Sequence, residues 1–359
     1  MHIPDGYLSP STCATLFAGV APFWYASLRK MKRALNTRMI PLLSVFAAFS
    51  FIIMMFNLPL PGGTTGHAMG VGIAAIVLGP WASILAITMA IVIQAVFFGD
   101  GGITAIGANC FNMAVAGSLA AYVIYRLAAG KAAIDSPRRV FAAGLAGYGA
   151  INLSALLAAI EFGIQPMLFH DGAGTPLYAP YPLRITIPAM MIGHLTVAGL
   201  AEMVVAAGVV AWLQKAEPQL LKATAPGAGG VAVAAMTGAG PGGWRATRPL
   251  WMALAALLVL TPLGILAAGS AWGEWVPSDF ANPQARHQIA AVSGHEQLPA
   301  QAPAGLTRLA TIWTAPMPGY APGFLKSEKM GYFLSAMAGT GLIILLGLGA
   351  GRLTRGRRE

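Results

Sequence analysis

Runs of about 20 apolar residues recur along the chain, separated by short stretches rich in charge, glycine and proline. A helix needs roughly 20 such residues to cross a hydrocarbon core of about 30 Å. The pattern predicts spans near residues 9–28, 40–60, 63–79, 81–98, 108–127, 140–163 and 186–213, then 249–269 and 331–350. Residues 70–98 also read as one long helix kinked at Gly79-Pro80, and the distribution of charge decides between the two. With two passes there, one side of the membrane receives Arg29, Lys30, Lys32, Arg33, Arg38, Arg126, Lys131, Arg138, Arg139, Lys215, Lys222, Arg245, Arg248, Arg352, Arg355, Arg357 and Arg358. The other side keeps only Arg184, Arg286, Arg308, Lys326 and Lys329. A single pass abolishes this bias, so the positive-inside rule selects two. The N-terminus and the PLPGGTTGHAMG and GDGG loops then face outward, and the C-terminus is cytoplasmic.

The spans fall into two blocks. Residues 1–215 hold seven; residues 248–359 hold a two-helix hairpin around an outer segment, 271–328, whose Trp, Pro and amphipathic content (WGEWVPSDF, IWTAPMPGY) predicts a small ordered cap. Between them, residues 216–247 are rich in Ala, Gly and Pro without helical periodicity, the composition of a flexible cytoplasmic linker.

Composition agrees with an all-α polytopic membrane protein: 57% hydrophobic and 9% charged residues, with a mean hydropathy of +0.67. The net charge of +10 sits in the clusters between spans, where it sets topology rather than binding nucleic acid. Cys13 and Cys110 lie in separate apolar segments without CxxC or CxxH spacing, so they read as buried thiols rather than a zinc site or a disulfide. The opening MHIPDG has no basic n-region and is not a secretory signal.

That opening carries the candidate chemistry. A His at position two is too bulky for the usual trimming of Met1, so the Met1 α-amine and the His2 imidazole stay together. The amine, the His2 amide nitrogen and the His2 Nδ1 can close five- and six-membered chelate rings on one ion. Three nitrogens in a plane leave one equatorial position, a set characteristic of Ni(II) or Cu(II), with Co(II) also compatible. The fourth ligand is sought among the outward-facing histidines His67, His170, His287 and His295. His67 is the choice, because glycines in LPLPGGTTGHAMG permit close backbone approach.

MHIPDGYLSP, NLPLPGGTTGHAMG, LGPWASIL and GDGGITAIGANCFNM together resemble the nickel/cobalt-specific substrate-capture subunits of energy-coupling-factor transporters, the NikM/CbiM family, over most of residues 1–215. The resemblance implies a seven-helix bundle with the N-terminus dipping into it, and a site of the Met1 amine, the His2 amide and imidazole, and the His67 imidazole. TPLGILAAG, AWGEW, IWTAPMPGY and GYFLSAMAG are similar to the two-helix NikN/CbiN partner, which implies a built-in accessory unit that helps load the metal. It also implies a membrane coupling subunit and cytoplasmic ABC ATPases as partners. The chain has no G-x-x-x-x-G-K-[ST] phosphate loop, so ATP hydrolysis is expected on separate polypeptides and no ATP is bound here. The expected role is uptake of Ni(II) across the inner membrane by a transport component that is not an enzyme. Cobalt uptake for cobalamin synthesis is the alternative cargo, and a membrane metal receptor or channel the alternative class. An intramembrane metalloenzyme is disfavoured, since no HExxH occurs and a closed nitrogen square leaves no position for water.

Asn109 and Asn112, three apart in GANCFNM, are candidates to order the N-terminal segment around the metal, and Asp5 to stabilise the PDG turn. His194 and Glu202 lie eight apart in one span, and interhelical hydrogen bonding is their expected role. Glu161 is expected near enough to the outer boundary to be solvated. His287, His295 and Glu296 read as solvated surface in preference to an outer collecting site.

Overall fold

The computed structural model describes residues 1–31, 39–61, 63–224, 243–267, 269–296 and 298–355. The first block runs α1 (Pro10–Met31), α2 (Met39–Met54), a hairpin of β1 (Leu58–Leu60) and β2 (Thr64–Gly66), and α3 (Val71–Leu78). It continues with α4 (Pro80–Phe98), α5 (Ile106–Ala129), α6 (Pro137–Leu168) and α7 (Leu183–Ala216). The second block holds α8 (Gly243–Leu260), extended by a 3-10 stretch over Thr261–Leu266, then α9 (Pro283–Val292), α10 (Ala304–Leu309) and α11 (Glu328–Arg355).

Among the described residues six helices are long and apolar enough to cross a membrane: α4, α5, α6, α7, Arg248–Leu266 and Glu328–Gly349. The 22 residues of α1 also reach about 33 Å at 1.5 Å per residue, and α2 is a shorter apolar helix of 16 residues.

The expected span over 63–79 is different in kind. Its first residues form β2, residues 67–70 are non-helical, and the helix begins only at Val71. Eight helical residues rise about 12 Å, less than half of a hydrocarbon core of about 30 Å, so α3 alone does not form the expected regular span. Irregular backbone at such depth is tolerated only inside protein, and residues 64–78 are buried throughout. Glu202 of α7 supplies the missing partners, accepting the Met69, Gly70 and Gly72 amides at 2.7, 3.0 and 3.3 Å. A carboxyl group at a helix N-terminus is favoured by the orphan amides and the helix dipole. Close packing of α3 depends on Gly72, where a Cβ would lie 2.9 Å from Gly147 Cα of α6. Gly79, at φ 77°, then breaks the helix, and Pro80 starts α4 where its missing amide costs nothing.

The second block lies against the first. Helices α8 and α11 pack on α2, while the segment between them covers the end of the bundle where the N-terminus sits. There Thr65 donates to Ser270 O at 3.3 Å, Gly305 to Leu177 O at 2.7 Å and Met317 to Phe97 O at 3.0 Å. Of the expected linker, residues 225–242 lie outside the described residues, whereas Pro218–Thr224 form a 3-10 helix against α3 with Leu221 buried. Glu161 corrects the expectation of a solvated side chain: it is 8% exposed and accepts from Asn112 Nδ2 at 2.8 Å.

Candidate metal centre

The first nine residues are too short and too polar to span, and they enter the bundle as an irregular strand whose backbone is satisfied by its neighbours. Ile3 exchanges two hydrogen bonds with the Asn109 side chain, N to Oδ1 at 2.8 Å and Nδ2 to O at 3.1 Å, and its carbonyl also accepts from Gly102 N at 2.8 Å. Asp5 accepts from the Ile103 and Thr104 amides at 3.1 and 2.8 Å and from the Thr104 hydroxyl. Ser9 donates to Gln165 Oε1 at 2.9 Å, and the Tyr7 hydroxyl to Trp275 O at 2.8 Å. Gly102 permits this approach: a Cβ there would lie 2.3 Å from Asp5 N. Met1, His2 and Ile3 are all buried as a result.

The His2 and His67 rings come together with centroids 5.2 Å apart. His67 reaches this position from the non-helical stretch between β2 and α3, and its Nδ1 lies 3.1 Å from Ala68 O. With Nδ1 donating, the Nε2 lone pair is left for a ligand. Both His2 ring nitrogens are buried without a hydrogen-bond partner, although Nδ1 lies 3.0 Å from Asp100 Oδ1. The contact is close, but it lacks hydrogen-bond geometry. The Met1 amine lies 3.3 Å from Glu274 Oε1. No group of three or more His, Cys, Asp and Glu side chains suited to a metal occurs among the described residues.

Asp100 belongs to this centre and escaped the sequence reading, although it lies in the quoted GDGG loop. Its Oδ2 accepts from Tyr320 Oη at 2.6 Å and Gln94 Nε2 at 3.3 Å. Burial works to raise its carboxyl, but the His2 imidazole beside it, with His67 and the Tyr320 hydroxyl, holds it below the usual carboxylate range. Burial, reinforced by Asp100, pushes the Tyr320 phenol well above its usual range, so it remains a donor. Gln94 and Asn109 stand at π-helical turns of α4 and α5, which re-aim side chains and recur at functional sites. Glu274 and Tyr320 come from the second block, in AWGEW and PMPGY. Nothing in local spacing joins either to the N-terminus.

Of the three candidate supporting residues, Asn109 and Asp5 hold the N-terminal segment. Asn112 does not; its side-chain amide donates to Glu161, and its backbone carbonyl accepts from the Ser154 hydroxyl. His194 is buried with Nδ1 2.8 Å from Met190 O of its own helix, a contact within the helix where one between helices was expected. Glu296 pairs with Arg184 at 2.8 Å.

A family model described as "Cobalt uptake substrate-specific transmembrane region" (CbiM) matches residues 2–220, and a PDGLE domain matches residues 246–356. The chain is 54% identical to the "Fused nickel transport protein NikMN" of Rhodobacter capsulatus, covering 100% of this chain and 99% of that one. It is 40% identical to the "Probable fused nickel transport protein LarMN" of Lactiplantibacillus plantarum, covering 96% of each. A solved structure, described as that of a truncated transition metal transporter, superposes with a TM-score of 0.56 at 48% identity, covering 59% of this chain and 98% of the other. Deep burial of the N-terminus in a multi-pass helical bundle and full-length similarity lead to one conclusion: the chain belongs to the CbiM family, as a membrane nickel/cobalt transport component of the fused NikMN type.

Proposed function

We propose that the chain captures Ni(II), with Co(II) as the alternative cargo, on four nitrogens: the Met1 amine, the His2 amide, the His2 imidazole and the His67 imidazole. The observation that carries this reading is the buried pair of imidazoles, one with neither ring nitrogen in a hydrogen bond and Nδ1 against Asp100, beside the chain's own amine. Among the described residues no hydrogen bond engages the His2 amide, which leaves that nitrogen free. A square of nitrogens suits low-spin d8 Ni(II), and the nickel transport named for the R. capsulatus relative favours the same cargo. Copper binds such sets more tightly by intrinsic affinity, so selectivity falls to site rigidity and metal availability.

The centre faces outward, since Arg29, Lys30, Arg126, Arg138, Arg139 and Lys215 all lie at the opposite helix ends. Residues 1–215 are the capture domain and residues 248–359 the accessory unit. A membrane coupling subunit and cytoplasmic ABC ATPases supply the energy for inward release. The test is metal stoichiometry and absorption on the purified chain, beside variants with one residue inserted after Met1 and with His67→Ala. One yellow, diamagnetic Ni(II) lost in both variants is the expected result. Unchanged binding in both overturns the nitrogen site.

A further inference from the structure

Tyr320 holds an unusual backbone. Its φ of 61° is left-handed, a conformation shared among the described non-glycine residues only with His295. For a bulky residue this conformation is strained and persists only where the surroundings impose it. Here they do. The ring stacks on Phe98 at 4.8 Å and contacts Phe51 and Tyr332 at 6.3 and 5.4 Å, and the hydroxyl reaches Asp100 Oδ2 at 2.6 Å. Asp100 Oδ1 in turn lies 3.0 Å from His2 Nδ1. A chain of contacts thus runs from the second block into the centre.

We propose that Tyr320 is a positioning residue for metal capture: through Asp100 it keeps the His2 imidazole in place in the empty centre and lets Asp100 release it to the ion. The inference rests on His2 being a ligand, as proposed above. Nδ1 is the ring nitrogen that closes the chelate with the His2 amide, so it must exchange Asp100 for the metal. A buried carboxylate that loses its partner is costly unless other donors satisfy it. Tyr320 Oη and Gln94 Nε2, themselves 3.1 Å apart, are those donors, and both remain when His2 turns away. Removing the phenol therefore weakens capture twice, by loosening Asp100 in the empty centre and by leaving it under-satisfied in the loaded one. The same contact gives the accessory unit a direct hold on the nitrogen set built by the capture domain.

Partners of this kind around a ligating histidine typically contribute 10- to 100-fold in metal affinity. The experiment uses the full chain in detergent or nanodiscs, titrated with Ni(II) against a competing chelator, with the visible absorption band recorded for each variant. Tyr320→Phe keeps the ring stack and removes only the hydroxyl; the expected result is roughly 10- to 100-fold weaker binding with a displaced band. Tyr332→Phe removes another second-block hydroxyl, one that donates to Met55 O at 2.6 Å rather than to Asp100, and keeps wild-type affinity and band. His67→Ala reports on the reading beneath. Wild-type affinity and band in Tyr320→Phe, with His67→Ala inactive, overturns the inference and leaves the nitrogen site standing. Equal loss in both Tyr→Phe variants assigns the effect to cap packing and also overturns it. Unchanged binding in His67→Ala removes the site and the inference together.

Discussion

Asn109→Ala separates docking of the N-terminal segment from folding of the bundle. The substitution leaves the Ile3 amide, a buried donor, without its acceptor, which costs about 1–3 kcal/mol. The Ile3 carbonyl loses one of its two donors but keeps Gly102 N, so that loss is nearer the net worth of an ordinary hydrogen bond, about 0.5–1.5 kcal/mol. Together these amount to roughly 2–4 kcal/mol against the docked segment. Part of this is absorbed by the margin with which Asp5, Ser9 and Tyr7 hold the segment, because apparent affinity falls only as the competent fraction falls. The expected loss in Ni(II) affinity is about 10- to 100-fold, measured by chelator competition, with little change in the unfolding temperature of the metal-free protein. Asn112→Ala is the internal control: the same amide, one turn along, bonded to Glu161 instead. It lowers stability and leaves affinity unchanged. Equal affinities for wild type and Asn109→Ala would refute the reasoning, because the segment would then dock without its reciprocal pair or bind metal undocked.

Gly102→Ala puts a methyl group 2.3 Å from Asp5 N, where backbone must move, so metal binding is expected to drop at least as far as in Asn109→Ala; wild-type affinity would show that the loop yields. Glu202→Ala strips the acceptor from three amides at the start of α3 and is expected to destabilise the bundle by about 3 kcal/mol or more. An unfolding midpoint in detergent within about 2 °C of wild type would count against this role. Metal capture by an amine, an amide and two imidazoles releases protons, so titration calorimetry in buffers of different ionisation heat should give different apparent enthalpies. Identical enthalpies would rule out amide coordination.

Much of the architecture was legible because a membrane imposes a length and a polarity that composition must meet. The six long apolar helices fall on predicted spans, and the division at Gly79-Pro80 follows from residue order. The segment 63–79, expected as one more helical span, is instead β2, irregular backbone and the eight-residue α3, since apolar content cannot distinguish a helix from buried irregular backbone. What makes the latter affordable is Glu202, more than a hundred residues away. In the same way His2 stood out by its place directly behind Met1, His67 by the glycines of LPLPGGTTGHAMG, and Asn109 by its place after GDGG. Asn112 shares a helical face with Asn109 in an ideal helix, but the π-helical turn starting at Cys110 changes the phase between them.

The sequence by itself determined a polytopic helical protein whose N-terminus carries the donor atoms of a candidate chelate, because hydrophobic span length and the chemistry of Met-His are local properties. Only the tertiary structure decided which groups surround that chelate. Asp100, Glu274, Gln94 and Tyr320 converge on it from α4, its following loop and the far block of the chain, and proximity between segments more than 200 residues apart arises from packing, which no local pattern encodes.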